Sequence, residues 1–102
     1  MKKLATQNCI KYVIKNVWYD TVDQPVIPID FANECAEGIY VTVEVKALDG
    51  RILHHEKIRL KSSEKKSIEL TLSYYGDVII TASAKLEKSS VFIALGEHKL
   101  KL

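Results

Sequence analysis

Between Gly38 and Leu60 the chain reads GIYVTVEVKALDGRILHHEKIRL. Ile39, Val41, Val43, Val45 and Ala47 alternate there with Tyr40, Thr42, Glu44 and Lys46. A period of two sustained over nine residues is incompatible with a helix and describes a strand with one aliphatic and one polar face. Asp49-Gly50 follows, and Asp-Gly is among the strongest hairpin signals because glycine accepts positive φ. The return strand carries a conflict of phase. Ile58 and Leu60 share a parity that Leu53 does not, so one inserted residue must reconcile them. A bulge or change of sheet is therefore predicted near His54 to Lys57.

The rest of the chain repeats this texture. Ile10 to Tyr19 reads as a first strand rich in β-branched and aromatic residues, with Ile10, Tyr12 and Ile14 on one parity and Val13 and Val17 on the other. Asp20 to Pro25 is a turn cluster. Val26 to Ala32 is a second strand with Ile27, Ile29 and Phe31 on one face. Pro28 has no N–H to give a ladder, so this strand is an edge there or is interrupted. Asn33 to Gly38 reads as a polar loop and Lys61 to Lys66 as a solvated turn. Ile68, Leu70 and Leu72 alternate cleanly, as do Val78, Ile80, Ala82, Ala84 and Leu86. Val91 to Leu95 is a short apolar strand, and His98 to Leu102 alternates weakly. Seven strands at this spacing, with no helical window, predict an all-β antiparallel sandwich of immunoglobulin-like topology. A six- or seven-stranded barrel is the alternative. The predicted core is Val41, Val43, Val45, Ile68, Leu70, Leu72, Val78, Ile80 and Ala82.

The 102 residues suit one domain spanning 1–102, with 1–9 expected as a flexible lead-in. An apolar fraction of 47% and a charged fraction of 27% argue against disorder. A net charge of +2 is too small to imply a nucleic-acid partner or an acidic membrane surface. No apolar run is long enough to span a bilayer. MKKLATQNCI has basic residues without an apolar stretch behind them, so it is no secretion signal. The chain is cytoplasmic if Met1 is the true start, and periplasmic or secreted if it is a fragment of a longer chain. Cys9 and Cys35 lack metal-site spacing. If the segments around 10–18 and 26–34 form a hairpin turning near Val22, the two cysteines face each other and a disulfide is geometrically possible. Otherwise they are two separate thiols, and both readings stay open.

Candidate chemistry is sparse. In His54-His55-Glu56 only His54 and Glu56 share a strand face, and a zinc site would need a third ligand such as His98. A polar edge strand accounts for the cluster as well. Ser62-Ser63 and Ser89-Ser90 sit in turns with no partner pattern for an activated nucleophile. No phosphate-binding glycine loop exists. No catalytic, metal or cofactor residue is assigned, and no cofactor is expected. Trp18, Tyr19, Tyr40, Tyr74 and Tyr75 could offer a sugar-stacking platform, although Trp18 packing at a rim and Tyr74 or Tyr75 bracing a corner explain them structurally.

Four stretches carry a family likeness: Phe31-Ala32-Asn33-Glu34, Leu48-Asp49-Gly50-Arg51-Ile52-Leu53, Asp77-Val78-Ile79-Ile80-Thr81-Ala82 and the closing Lys99-Leu100-Lys101-Leu102. In this order the chain, from about Tyr12 to Leu102, resembles the immunoglobulin-like C-terminal domain of family-two glycoside hydrolases, the β-mannosidases in particular. The resemblance implies a non-catalytic accessory sandwich that packs on the other domains of a parent enzyme. The catalytic glutamates of such enzymes lie in a separate barrel domain, so no catalytic residue carries over. An autonomous carbohydrate-binding module and a free-standing adhesion or assembly domain pairing through a sheet edge are the other functions open to such a chain. For docking, parity turns Tyr40, Leu53 and Ile79 away from the core. At least two of them are expected together on one exposed face, with Trp18 and Tyr19 as further docking or sugar contacts.

Overall fold

A computed structural model of the chain describes residues 9–102. Eight strands follow one another: β1 (Ile10–Ile14), β2 (Trp18–Tyr19), β3 (Pro25–Asn33), β4 (Ile39–Ala47), β5 (Ile52–Leu60), β6 (Lys65–Thr71), β7 (Asp77–Leu86) and β8 (Ile93–Lys101). They form two antiparallel four-stranded sheets. In the first, β1 and β2 share one side of β3 and β6 takes the other; the second runs β5-β4-β7-β8. The chain is an all-β sandwich, and no strand ladder joins the two sheets into a barrel among the described residues.

Alternation decides what lies between the sheets. Ile27, Ile29, Phe31 and Leu70 from the first meet Ile39, Val41, Val43, Val45 and Ile80 from the second in one buried cluster. The core expected from sequence is there, with Ile68 half-buried at its margin. Single methylenes matter in interiors packed this densely.

Irregularities explain where the sequence expectations shift. The first expected strand is two, β1 and β2, and the gap falls opposite Pro28. The Lys15 N–H donates to the Pro28 carbonyl at 2.8 Å, so the missing Pro28 N–H points at that same gap. β3 is an interior strand, and it tolerates proline because its neighbour is interrupted there. Across the gap the phase changes: Ile14 and Val17 both pack on the core, while Val13 is exposed. The β4–β5 register jumps between Val45–His54 and Lys46–Ile52, so the inserted residue is Leu53. The bulge lies just ahead of the His54 to Lys57 stretch, and it returns Leu53 to the core margin. A second jump, between Ala82–Gly96 and Ser83–Ala94, inserts Leu95 and fuses the two expected C-terminal runs into the single strand β8. Val91 and Phe92 precede that strand and are exposed.

Cys9 and Cys35 form a disulfide across 26 residues, with Cα atoms 4.9 Å apart. The β1–β3 pairing of Ile10 with Asn33 brings them together. Residues 1–8 of the expected lead-in lie outside the described residues; Cys9 is anchored. Beside the disulfide, Asn33 is the one buried polar residue among those described. Its amide nitrogen lies 3.0–3.1 Å from the carbonyl oxygens of Glu37, Leu60 and Lys61, and its amide oxygen accepts the Cys35 N–H at 2.9 Å. It thus ties the β3–β4 crossing to the β5–β6 turn. A side chain so fully bonded is costly to remove, because each abandoned buried partner costs about 1–3 kcal/mol.

Candidate functional site

The three residues expected to form a docking patch are separated by the ladder. Tyr40 and Ile79 point out of the same sheet, but Tyr40 pairs with Arg59 and Lys85 while Ile79 pairs with Lys46. Six residues along β4 divide them, about 20 Å at the rise of a strand. Leu53 packs on the core through its bulge. They do not form one patch, and each is only partly exposed. The reason is a single bulge for Leu53 and strand length for the other two.

The aromatics separate as clearly. The Tyr40 ring lies beneath two ammonium groups, Lys57 Nζ at 5.0 Å and Lys85 Nζ at 5.5 Å from its centroid. Its faces are already engaged as cation–π partners. Arg59 beside it is bonded to Glu87 at 2.9 Å, and that carboxylate raises the guanidinium pKa. Tyr74 is half-buried with the Arg51 guanidinium over its ring. The Tyr75 hydroxyl donates to the Asp23 carbonyl, so the ring braces the β2–β3 turn from the β6–β7 corner. Trp18 and Tyr19 are half-exposed on the edge strand β2 and point to opposite sides of it. A flat platform of all five does not form.

The histidines are also apart. His54 Nε2 and Glu56 Oε1 are 3.0 Å from each other on β5. His98 is on β8, three strands away across the sheet, about 14 Å at normal strand spacing. It faces Tyr12 instead: the Tyr12 hydroxyl and His98 Nε2 are 2.7 Å apart, which clips β1 of one sheet to β8 of the other. Burial pushes the Tyr12 phenol pKa up. Gly96 makes this possible, since a Cβ there would collide with the Tyr12 hydroxyl. No group of three potential metal ligands occurs among the described residues. No helix there is long and apolar enough to cross a membrane.

What the structure does offer is a groove on the outer face of β1, β3 and β6, about 370 Å³ in volume. Its walls include Lys11 and Val13 from β1 and Lys65 and Ser67 from β6; Asp30 and Ala32 of β3 form its floor. Ala32, a short side chain on the middle strand between Lys11 and Lys65 on its neighbours, leaves room for the trough. Asp30 is fixed in place. Ser67 Oγ donates to Asp30 Oδ1 at 2.7 Å, and Lys15 Nζ lies 3.2 Å from Asp30 Oδ2. The bond from Ser67 and then that from Lys15 lower the Asp30 pKa, so the group is a carboxylate at neutral pH. Trp18 continues the same face. It pairs with Val26, which alternation turns outward, yet Val26 is only 2% exposed. Sequence reasoning missed this groove, although the run Pro28-Ile29-Asp30-Phe31-Ala32 shows small or short residues at each outward position.

The fold and the groove define an all-β sandwich with an open groove on one outer face. No family model and no curated protein matches the chain. Solved structures do. A β-glucuronidase from Bacteroides uniformis aligns with a TM-score of 0.57 at 16% identity, over 92% of this chain and 13% of that one. DesR, a β-glucosidase from Streptomyces venezuelae, aligns with a TM-score of 0.55 at 10% identity, over 91% of this chain and 15% of that one. A structural-genomics target aligns with a TM-score of 0.50 at 10% identity, over 92% of this chain and 87% of that one. At these identities the likeness is one of fold. The chain spans about a seventh of the two glycosidases.

Proposed function

We propose that this chain is a non-catalytic accessory domain of a glycoside hydrolase, of the immunoglobulin-like kind found at the C-terminal end of β-mannosidase-like family-two enzymes. One observation carries the reading: a sandwich of this topology recurs as a small part of long glycosidase chains, covering nine-tenths of this chain and about a seventh of theirs. The strand order supports the immunoglobulin-like assignment, with β3 and β6 in one sheet and β5-β4-β7-β8 in the other. The motif residues supply structural parts. Asn33 joins loops, Asp49-Gly50 makes the β4–β5 turn with Gly50 at φ 91°, and Leu102 exchanges two backbone bonds with Gly76. None of them carries chemistry. The partner is the remainder of the parent enzyme, and the disulfide favours an oxidising compartment, periplasmic or extracellular.

The coding locus tests this. A reading frame that joins this sandwich to a catalytic barrel, or an adjacent glycosidase gene whose product binds it, is the expected result. A free-standing gene whose product binds no glycosidase overturns the proposal.

A further inference from the structure

We propose that the outer face of the first sheet, from Trp18 of β2 along β3 to the groove between Asp30 and Lys65, binds an extended oligosaccharide. The inference goes beyond the accessory role and stands whether or not the chain belongs to a glycosidase.

Three features of the groove converge on that ligand class. The first is length and shape. Trp18 stands opposite Val26 and Lys65 opposite Ala32, so the face runs along six residues of β3, about 20 Å. An extended chain of several sugar rings spans a face of that length, with the groove at Val13, Asp30, Ala32 and Ser67 towards one end and Trp18 at the other; a compact cofactor does not need one. The second is the fixed carboxylate on the floor. Asp30 is held by one bond to each oxygen, and each oxygen keeps a further lone pair for a ligand hydroxyl. A carboxylate locked before the ligand arrives loses no side-chain entropy on binding. The third is the pairing of apolar and donor groups around it. Trp18 offers an aromatic surface at one end, and its exposure of 45% leaves it accessible. Val13 is 61% exposed on the wall, where the apolar face of a ring can lie against it. Lys65 supplies N–H donors at the other end.

Charge separates this ligand from the alternatives. Lys15 is committed to Asp30 and Lys11 to Glu34 at 3.2 Å, so much of the positive charge is offset locally. A phosphate backbone laid along the floor would meet the ionised Asp30. A ligand dense in hydroxyls and modest in charge meets complementary acceptors, donors and an aromatic surface together. The outer face of the second sheet lacks this combination, because its aromatic, Tyr40, already lies under two lysines.

The test is a titration of the isotopically labelled chain with hexasaccharides from mannan, xylan and cellulose, followed residue by residue by NMR. With at least one of them, amide signals of Trp18, Asp30 and Ala32 should move. Trp18→Ala and Asp30→Asn should each weaken that binding by about tenfold or more, and Trp18→Phe by less, since it keeps an aromatic face. Tyr40→Ala on the opposite sheet should bind as the parent does. The same spectra report whether each variant is folded, and the exposed Asp30→Asn change decides the matter if Trp18→Ala is not. Three results overturn the proposal: no hexasaccharide moves these signals, the bound sugar maps to the other sheet, or a folded Asp30→Asn variant binds unchanged.

Discussion

The two sheets reach the same core by different means. In β5-β4-β7-β8 the central pair β4–β7 runs through nine residue pairs without interruption, and the β4 burial pattern alternates from end to end. Nothing beyond alternation is needed to hold it. In the sheet of β1, β2, β3 and β6 the edge is broken opposite Pro28 and one strand is two residues long. Its order comes from particular fixtures: the disulfide, Asn33, the clip from Tyr12 to His98 and the bracing of the β2–β3 turn by Tyr75. The regular sheet covers its outer face with long side chains that pair among themselves. The irregular sheet leaves a trough there. The two β-bulges, at Leu53 and Leu95, lie on the outer ladders of the second sheet, whereas the broken edge and the two-residue strand belong to the sheet with the open face, where a binding function is expected to leave its mark.

Substitutions should separate the two modes, beginning with the largest effect. Val43→Asp places a charge in the middle of the regular sheet, among residues 0–1% exposed. An unpaired buried charge costs several kcal/mol, on the order of half the total stability of a domain this size or more. The variant should show no cooperative thermal transition by circular dichroism. A melt matching the parent would refute the core assignment.

Replacing both Cys9 and Cys35 with serine opens the staple between the start of β1 and the end of β3. Opening a closed loop of 26 residues should cost about 3.5 kcal/mol on the chain-entropy estimate. Urea unfolding measures it. An unchanged midpoint would mean that the broken edge does not depend on its staple.

Gly96→Ala probes the seam between the sheets. The added methyl group meets the Tyr12 hydroxyl, and overpacking of this kind costs about 1–3 kcal/mol. Tyr12→Phe removes the colliding oxygen, so the double variant should recover much of the loss relative to Gly96→Ala alone. Additive losses would place the two residues out of contact.

The smallest effect concerns Asp30. Its carboxyl pKa is depressed, so it contributes stability above the ordinary carboxylate range and loses that contribution as pH falls through its folded pKa. In Ser67→Ala the largest cause of the depression is gone. The Asp30 carboxyl should then titrate closer to its ordinary value of 3.8, and acid should weaken the fold slightly less than in the parent. NMR titration of the Asp30 side chain reads this; an unmoved titration would separate Ser67 from Asp30.

The central β4–β7 pair of the regular sheet was legible from sequence because alternation specifies it. Val41, Val43 and Val45 announce both their strand and their face. The irregular sheet was legible only in outline. Pro28 gave notice of an interruption, but not that it would fall in the neighbouring strand. On β5, at the edge of the regular sheet, the phase conflict at Leu53 required an inserted residue, yet periodicity could not choose its position within a few residues, and the choice decided whether Leu53 faced solvent or core. Asn33 read as loop polarity because its bonds to the Leu60 and Lys61 carbonyls reach backbone groups far along the chain and leave no local signal. The groove depends on which three strands become neighbours, and side-chain length along one strand means little until that order is known. Exposure of Trp18 likewise follows from β2 being an edge, which no local pattern states.

The accessory role is tested most directly by the size and activity of the native polypeptide that contains this sandwich. An antibody against the β4–β5 hairpin sequence, used on extracts of the source cells separated by native and denaturing electrophoresis, gives both readouts. The account predicts a band comigrating with glycosidase activity, in a polypeptide several times larger than 11.6 kDa or in a stable complex with one. An unaccompanied 11.6 kDa species, separated from all glycosidase activity, would contradict it.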